Sequence, residues 1–204
     1  MNKELIIVGA GGHGRVVADV AASMKYFKNI LFIDDNLNQI APHHVLTTTE
    51  HMCSQIHEER VFIVAIGHNE TRSCLASELR VNNAQFTNIV HPSAVLGSRL
   101  TLGTGILFMP NAVVNANAVI GDDVIINTAS VVEHDVILES SVHLGPNATL
   151  AGAAHVGYRS LVGAAAVVLP NVSIGQDCTI GAGCVVTSNV PNKKILVGNP
   201  ARYI

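Results

Sequence analysis

Tryptophan is absent from this chain of 204 residues, and aromatic side chains make up only 4% of it. Hydrophobic residues nevertheless account for 49% of the sequence, so aliphatic side chains must fill the interior. Such a content excludes a disordered chain, and the length suffices for one or two domains with packed cores. The composition therefore predicts a narrow interior of valine, isoleucine, leucine and alanine.

An excess of basic residues is also missing. Lysine and arginine number 12 against 15 acidic residues, which gives a formal net charge of -3. Nucleic acids and anionic membrane surfaces attract strongly basic proteins, so we expect neither as a partner. The apolar run at residues 5–8 is far shorter than that of a signal peptide or a membrane span. It predicts a cytoplasmic protein that does not insert into a membrane.

The four cysteines include no CxxC pair. Two of them, Cys178 and Cys184, lie six residues apart in a stretch of small and aliphatic residues. A disulfide framework or a metal site needs cysteines and histidines at ligand-like spacing. We therefore expect these cysteines to fill the core and the protein to bind no metal.

An apolar residue recurs at every sixth position, without a miss, over sixteen consecutive sites. An α-helix needs a period near 3.6 and a flat strand a period of 2, so a period of six describes a short strand and a corner that repeat and stack. The pattern predicts a β-solenoid. Its apolar sites are Leu96, Leu102, Phe108, Val114, Ile120, Ile126, Val132, Leu138, Leu144, Leu150, Val156, Val162, Val168, Ile174, Ile180 and Val186.

Two other positions of the repeat are sorted by size. Glycine, or in places asparagine, directly follows many of the apolar sites, as at Gly145 and Asn127. This position suits tight backbone with positive φ. Four places after the apolar sites the residue is small or β-branched, as at Ala148, which suits the interior.

The repeat resembles that of the hexapeptide-repeat acyltransferases. The resemblance implies a left-handed parallel β-helix of triangular section with three hexads per coil. At 18 residues per coil, residues 96–186 make five coils. A strand spacing of about 4.8 Å then predicts a rod about 24 Å long.

Residues 1–88 follow a different pattern. Apolar runs predict strands at 4–8, 30–33 and 61–66, and helical spacing predicts helices at 15–25 and 71–81. Strands that alternate with helices and end in glycine turns indicate a small parallel, Rossmann-like α/β domain. We therefore expect an α/β domain at 1–88 and a β-helix domain at 89–204.

Gly9, Gly11 and Gly14 form a G-x-G-x-x-G pattern between the first strand and the first helix. Such a turn lets backbone N–H groups approach a phosphate, and Asp34 stands where an acid would bind a ribose. NAD is one interpretation, but fewer than 90 residues supply only half of a doubly wound sheet. Half a cleft suits the nucleoside diphosphate of an activated sugar. The alternative that these glycines only shape a turn stays open.

Ionisable residues are rare in the repeat, so His134 and Asp135 stand out. The position favours the surface of the rod, where an imidazole can accept a proton near neutral pH and a carboxylate can hold its tautomer. Asp135 is the favoured partner and Glu133 the other candidate. His143 follows after nine residues, half a coil, so the two histidines should meet only across an oligomer interface. An ordinary surface pair is the alternative.

Short motifs extend this picture over the whole chain. They are GAGGHG at 9–14, DD at 34–35, AIG at 65–67 with Asn69 and Arg72, VHP at 90–92, NT at 127–128, HD at 134–135, His143 and VGNPA at 197–201. On these motifs the chain resembles the bacterial nucleotide-sugar N-acetyltransferases and sialic acid O-acetyltransferases.

This resemblance implies that His134 is the general base, that Asp135 raises its basicity and that His143 faces the acetyl group of acetyl-CoA. It also implies a homotrimer, with acetyl-CoA in a groove between adjacent solenoids that Gly152, Ala164 and Ala182 line. It places the nucleotide on Gly11, Gly12, His13, Asp34, Asp35 and Gly67. Some members have glutamate at the position of Asp135, and asparagine is common at that of His68, so contacts there are expected to differ.

We therefore expect an enzyme that moves acetyl from acetyl-CoA to the amino group of a nucleotide-linked amino-deoxysugar, for O-antigen lipopolysaccharide, capsule or other polysaccharide synthesis. A direct ternary complex is the expected mechanism. O-acetylation of sialic acid or a related nonulosonate is an alternative, which the nucleotide-type turn disfavours. A non-catalytic solenoid scaffold and an NAD-linked oxidoreductase are alternatives of other classes. The nucleotide base stays open between UDP, dTDP and GDP.

Overall fold

The computed structural model describes residues 3–36 and 44–204. Its N-terminal part holds a parallel sheet of four strands in the order β3-β2-β1-β4. The elements, in chain order, are β1 (Glu4–Val8), α1 (Gly12–Met24), β2 (Ile30–Ile33), β3 (His44–Thr47), a 3-10 helix (Thr49–Gln55), β4 (Arg60–Val64) and α2 (Asn69–Val81).

Both faces of this sheet are covered, because alternate residues of its central strand are buried against different elements. Leu5 and Ile7 pack in the cluster that contains α1, whereas Ile6 and Val8 pack in the cluster that contains α2. Full burial on both faces is typical of parallel sheets. The predicted Rossmann-like α/β domain is confirmed.

The strands predicted at 4–8 and 30–33 are found with those bounds, the third strand and both helices begin earlier than predicted, and two elements were not predicted. α1 begins at Gly12 rather than Arg15, and α2 begins at Asn69 rather than Thr71. The edge strand β3 and the 3-10 helix were not predicted, because each buries only one residue, Val45 and Met52 respectively. One buried residue leaves no periodicity to detect.

The rest of the chain is a parallel β-helix with short strands on three faces. Face 1 holds seven strands that lead toward the C-terminus: β5 (Ile89–Val90), β8 (Leu107–Phe108), β11 (Ile125–Ile126), β14 (His143–Leu144), β17 (Leu161–Val162), β20 (Thr179–Ile180) and β22 (Ile195–Val197), with the antiparallel β23 (Arg202–Tyr203) at its end. Face 2 holds β6 (Val95–Leu96), β9 (Val113–Val114), β12 (Val131–Val132), β15 (Thr149–Leu150), β18 (Val167–Val168) and β21 (Val185–Val186). Face 3 holds β7 (Thr101–Leu102), β10 (Val119–Ile120), β13 (Ile137–Leu138), β16 (His155–Val156) and β19 (Ser173–Ile174).

The register of the strands confirms the predicted coil. Ile125 pairs with His143 and Val131 pairs with Thr149, in each case 18 residues on. From Phe108 onward the second residue of every strand on the three faces points inward and is buried, up to Val186. Cys178 and Cys184 are free and buried, as core packing predicts. We name the corners by the faces they join: the 1–2 corner, the 2–3 corner and the 3–1 corner.

The prediction of positive φ directly after the apolar sites is wrong. The residues with positive φ lie three places after the apolar sites, as at Asn117 with φ of 63° and Asp135 with φ of 60°. Glycine is favoured directly after the apolar site for a different reason, which is the stacking of the coils. A Cβ atom at Gly145 would lie 2.7 Å from the backbone nitrogen of Ala164 in the next coil.

A buried arginine ties the two parts of the chain together. Arg72 of α2 is 1% exposed, and its Nε donates to Asp123 O at 2.8 Å and its guanidinium to Ser141 O at 2.7 Å, both in the β-helix. It also donates to Ile66 O at 2.8 Å. Burial lowers the pKa of Arg72 to about 10, and Asp123 opposes this shift, so the guanidinium stays charged at neutral pH.

In the parts of the chain that the structure describes, every helix is too short or too polar to cross a membrane.

Candidate active site

His134 and Asp135 lie at the 2–3 corner, directly after β12. The imidazole is 63% exposed, and its Nδ1 lies 2.8 Å from Oδ2 of Asp135. A carboxylate only accepts, so Nδ1 carries the proton and Nε2 keeps its lone pair. Among the described residues Nε2 has no hydrogen-bond partner. The ring is therefore at the surface, as predicted, with a basic nitrogen available to an incoming molecule.

Asp135, and not Glu133, is the acid that holds the imidazole. Oε2 of Glu133 accepts a hydrogen bond from Nδ2 of Asn115 at 2.9 Å. The pKa of Asp135 is lowered, chiefly by its hydrogen bond with His134 and next by one from Asn117. The acid is thus ionised over the range in which an imidazole can act as a base.

Gly152 lies one coil beyond His134, and the ring lies directly over it. A Cβ atom at Gly152 would be 2.6 Å from Cε1 and 2.7 Å from Nε2 of His134. The N–H of Gly152 donates to no acceptor within the described structure. This corner therefore combines the base nitrogen with an open backbone donor, which is the pair that acyl transfer needs.

Ala164 and Ala182 lie at the 1–2 corner, one coil apart, and both are exposed. Their N–H groups also lack acceptors among residues 3–36 and 44–204. In a single chain they are separated from Gly152 by the whole of face 2. The structure therefore places the predicted groove residues on the two corners that flank one face, and does not bring them together in one chain.

His143 projects from face 1 toward the N-terminal sheet. Its Nδ1 lies 3.2 Å from Gly67 O and its Nε2 lies 3.2 Å from Nδ2 of Asn127. Because Oδ1 of Asn127 accepts from Thr128 N–H, the Asn127 amide donates to Nε2 and the ring proton lies on Nδ1. His143 and His134 thus lie on different sides of the rod, as the half-coil separation predicts.

Two histidines form a neutral cluster next to Gly67. The rings of His13 and His143 stack with their centroids 6.3 Å apart. The pKa of each is lowered to about 4, chiefly by burial and next by the charge of Arg72. Nε2 of His13 is buried and has no hydrogen-bond partner among the described residues. It can therefore bind a donor or acceptor brought by a ligand.

The glycines of the first turn divide into two kinds. Gly9 and Gly14 are needed for packing, because a Cβ atom at Gly14 would lie 1.9 Å from Gly9 O. Gly11 and Gly12 are exposed, and a Cβ atom at Gly11 would meet nothing within 4 Å. Gly11 caps α1 without a side-chain hydrogen bond. The first N–H groups of the helix are thus open to an anion.

The two acids after β2 stabilise this edge of the sheet. Oδ2 of Asp34 accepts from Ala10 N–H at 2.6 Å, and Oδ1 of Asp35 accepts from Thr49 N–H at 2.9 Å. The pKa of Asp35 is lowered, chiefly by the Thr49 backbone N–H. Because β1, β2 and β4 are parallel, Gly11, Asp34 and Gly67 follow strand ends at the same edge of the sheet.

A groove of about 440 Å³ continues from Gly67 along face 1. Its walls include Asn69 of α2, Thr179 of β20 and Lys193. Nδ2 of Asn69 donates to Arg159 O at 2.7 Å, which ties the helix to the rod at this point. The groove provides space next to Gly67 for a polar ligand. No cluster of side chains suited to a metal ion occurs in the described ranges.

Three residues with defined contacts to the site residues were not given a role from the sequence: Asn117, Asn127 and Arg72. Asn127 and Arg72 belong to recognised motifs, but the motifs carry no information on their partners. The contact of Asn117 with Asp135 could have been inferred, because the two residues are one coil of 18 residues apart.

Comparisons with known proteins agree with this architecture. The family described as PglD N-terminal domain matches residues 4–79, and the family described as bacterial transferase hexapeptide (six repeats) matches residues 153–188. UDP-N-acetylbacillosamine N-acetyltransferase of Bacillus subtilis is 33% identical over 52% of this chain and 51% of its own length. The chain spans about half the length, or less, of the first curated relatives it matches.

Two solved structures match nearly the whole chain. The acetyltransferase domain of PglB from Neisseria gonorrhoeae, in complex with acetyl coenzyme A, is 33% identical with a TM-score of 0.96, and the match covers all of both chains. A mutant of perosamine N-acetyltransferase from Caulobacter crescentus, in complex with CoA and GDP-perosamine, is 33% identical with a TM-score of 0.94 over 98% of this chain and 96% of the other. These matches confirm an α/β domain joined to a left-handed parallel β-helix.

Proposed function

Because the chain belongs to the bacterial nucleotide-sugar N-acetyltransferase and sialic acid O-acetyltransferase family of hexapeptide-repeat acyltransferases, we propose that it transfers acetyl from acetyl-CoA to the amino group of a nucleotide-linked amino-deoxysugar. One observation carries the proposal: an exposed imidazole has Nδ1 held by a carboxylate and Nε2 open beside an unpaired backbone N–H. The likeness to a structure that holds CoA and GDP-perosamine supports it.

In the proposed reaction His134 is the general base. The amine of the sugar attacks the thioester carbon, and its proton passes to Nε2 of His134 as the C–N bond forms. Asp135 stabilises the resulting imidazolium. The C–S bond then breaks, and the thiolate of CoA takes the proton from the imidazolium. The products are an amide and free CoA, and the base returns to its neutral form.

The Gly152 N–H is the donor best placed for the oxyanion that develops on the thioester carbonyl, because it lies beside the ring of His134. Ser130 is close in sequence but fully buried, and its Oγ donates to Asn127 O at 2.7 Å. It therefore cannot act as an acyl acceptor for His134. This supports direct transfer in a ternary complex without an acyl-enzyme.

We also propose a homotrimer in which each acetyl-CoA lies between two rods. Face 2 presents an outward row of valines that includes Val113, Val131 and Val167. The base lies on one corner that flanks this face, and the open N–H groups of Ala164 and Ala182 lie on the other. A ring of chains joined by one repeated contact would bring the two corners together. Small side chains at both corners would let the pantetheine arm reach the backbone.

The partner subunit's His143 would face the acetyl group in this assembly. Its two hydrogen-bond contacts, to Gly67 and Asn127, are both long at 3.2 Å. The Nδ1–H group could therefore donate its hydrogen bond to the thioester oxygen in place of the Gly67 carbonyl. The low pKa of His143, about 4, keeps the ring neutral, so it would not compete with the substrate amine for a proton at neutral pH.

The nucleotide diphosphate is proposed to bind at the edge of the N-terminal sheet. The open N–H groups at Gly11 and Gly12 suit the phosphates. The unpartnered Nε2 of His13, Gly67 and the adjacent groove suit the sugar. Asp34 and Asp35 would hold the nucleoside side of the site. Residues 1–88 thus bind the nucleotide sugar, and residues 89–204 bind acetyl-CoA, in the cytoplasm where acetyl-CoA is made.

The proposal is tested by an assay of CoA release over UDP-, dTDP- and GDP-linked aminosugars, with free sialic acid as a further arm. We expect turnover with one of the nucleotide-linked amines and none with sialic acid. His134→Ala should lower kcat by about 10²–10⁴ and leave the fold intact. Turnover only with sialic acid would favour O-acetylation, and binding without turnover on any arm would favour a scaffold.

A further inference from the structure

A column of hydrogen-bonded side chains leads along the 2–3 corner to His134. Arg99, Asn117 and Asp135 occupy the same position in three successive coils, 18 residues apart, with φ of 56°, 63° and 60°. Nε of Arg99 donates to Oδ1 of Asn117 at 2.8 Å, and Nδ2 of Asn117 donates to Oδ1 of Asp135 at 3.0 Å. The other carboxylate oxygen of Asp135 meets Nδ1 of His134. The column is thus continuous from a guanidinium to the proposed base.

The guanidinium at one end fixes the direction of the whole column. Arginine can only donate, so the carbonyl oxygen of Asn117 must face Arg99 and its NH₂ must face Asp135. Without Arg99 the amide could turn and bring its oxygen against the carboxylate. The cation therefore keeps Asn117 in the one orientation that supports Asp135.

Asp135 needs this second contact because it is half exposed. At 52% exposure water competes for each of its hydrogen bonds, and one bond to His134 alone would hold the carboxylate weakly. With Asn117 on Oδ1 and His134 on Oδ2, both oxygens have assigned partners. The charged groups that act on Asp135 in the described structure are His134 and Arg99, while the neighbouring Glu133 is held by Asn115.

We propose that Arg99 and Asn117 are positioning residues that act through Asp135 on His134 and hold its tautomer for proton transfer. This inference rests on the proposed function of His134 as the base. Neither residue touches the reacting atoms. Beyond Asp135 the column ends, because the next coil has Ala153 at this position.

The chain offers a matched control one coil beyond Ala153. Asn171 occupies the same position of the same corner with φ of 60°, and its side chain makes no hydrogen bond that involves Asp135. Asn117→Ala and Asn171→Ala therefore remove the same side chain from the same backbone conformation, and only the first removes a donor to Asp135.

The test combines kinetics with titration of the Asp135 carboxyl carbon by NMR on the intact protein. Asn117→Ala should lower kcat about 5-fold, because it removes a hydrogen bond to a charged group at a partly exposed site. The KM for acetyl-CoA should change little. It should also raise the pKa of Asp135, because the second cause of its lowering is gone. Asn171→Ala should change neither quantity.

Arg99→Leu tests whether the column acts as a unit. Arg99→Leu should lower kcat in the native background and have no further effect when Asn117 is alanine. Additive effects of the two variants, or equal effects of Asn117→Ala and Asn171→Ala, would overturn the inference. If His134→Ala abolishes turnover while Asn117→Ala leaves kcat and the Asp135 titration unchanged, the positioning role of Arg99 and Asn117 is wrong and the proposed function stands. If His134→Ala keeps full turnover, the proposed function fails.

Discussion

At the scale of single residues, the contact between Gly152 and His134 links the proposed groove to the proposed base. The ring lies so close to the Gly152 Cα that any side chain there would occupy the same space. The same glycine leaves a backbone N–H open next to Nε2. One residue without a side chain thus sets both the position of the proposed base and access to the proposed oxyanion donor.

Gly152→Ala should therefore displace the imidazole and lower kcat about 10²-fold, since a shift of about 1 Å in a catalytic group costs that much. It should also lower the melting temperature. In the His134→Ala background the new methyl group has room, so the second substitution should cost no stability. Calorimetry of the four proteins measures this cycle, and an equal loss of stability in both backgrounds would show that the ring does not lie over Gly152.

At the scale of elements, the join between α2, β14 and the first turn is built from one buried cation and two neutral imidazoles. Arg72 donates to backbone carbonyls on both sides of the join, and His13 and His143 stack beside it. Burial disfavours charge on either ring, and the guanidinium adds to that effect. The join is thus sensitive both to loss of Arg72 and to acid.

Arg72→Met should destabilise the protein by about 3 kcal/mol, because it leaves several buried carbonyl groups without a donor. Arg15→Met, at an exposed position of α1, is the matched control and should change the free energy of unfolding by less than about 0.5 kcal/mol. Urea unfolding followed by circular dichroism compares the two. Similar midpoints for both variants would contradict the role given to the buried guanidinium.

Stability should fall as the pH is lowered from 6.5 toward 4. The ordinary pKa of histidine is 6.5, and the folded values of His13 and His143 are about 4. In this window the unfolded chain binds protons that the folded chain does not, so acid favours unfolding. His13→Leu should make urea midpoints at pH 7.5 and pH 5 differ less than in the native protein. An unchanged difference would show that His13 is not held neutral.

The sequence predicts the elements to different degrees, and the reasons lie in particular residues. The six-residue period places the buried second residue of every strand from Phe108 to Val186, because each hexad repeats one environment. β3 buries only Val45 and leaves no such pattern. The contact of Asn117 with Asp135 follows once the 18-residue coil is applied, because the two residues are one coil apart. The contacts of Arg72 depend on how the two parts of the chain meet, and periodicity within one segment carries no information on that.

At the scale of the whole molecule, face 2 separates the two halves of the proposed site. Val131 on β12 points outward from this face, and Ile137 on β13 points outward from face 3. Because a ring of chains would bury face 2, Val131→Asp should dissociate the assembly to monomers and abolish turnover. Ile137→Asp should leave both unchanged. Sedimentation velocity measures the assembly, and an intact trimer of Val131→Asp would exclude face 2 as the contact.

Complementation between two inactive subunits tests most directly whether each site is shared between neighbouring chains. His134→Ala removes the proposed base from the 2–3 corner, and Ala164→Trp blocks the proposed groove at the 1–2 corner. If each site is shared between neighbouring chains, mixed trimers contain sites with both corners intact. A co-expressed equal mixture should then recover about a quarter of the native turnover, while each variant alone has almost none. No recovery in trimers shown to be mixed would contradict a site built across the subunit interface.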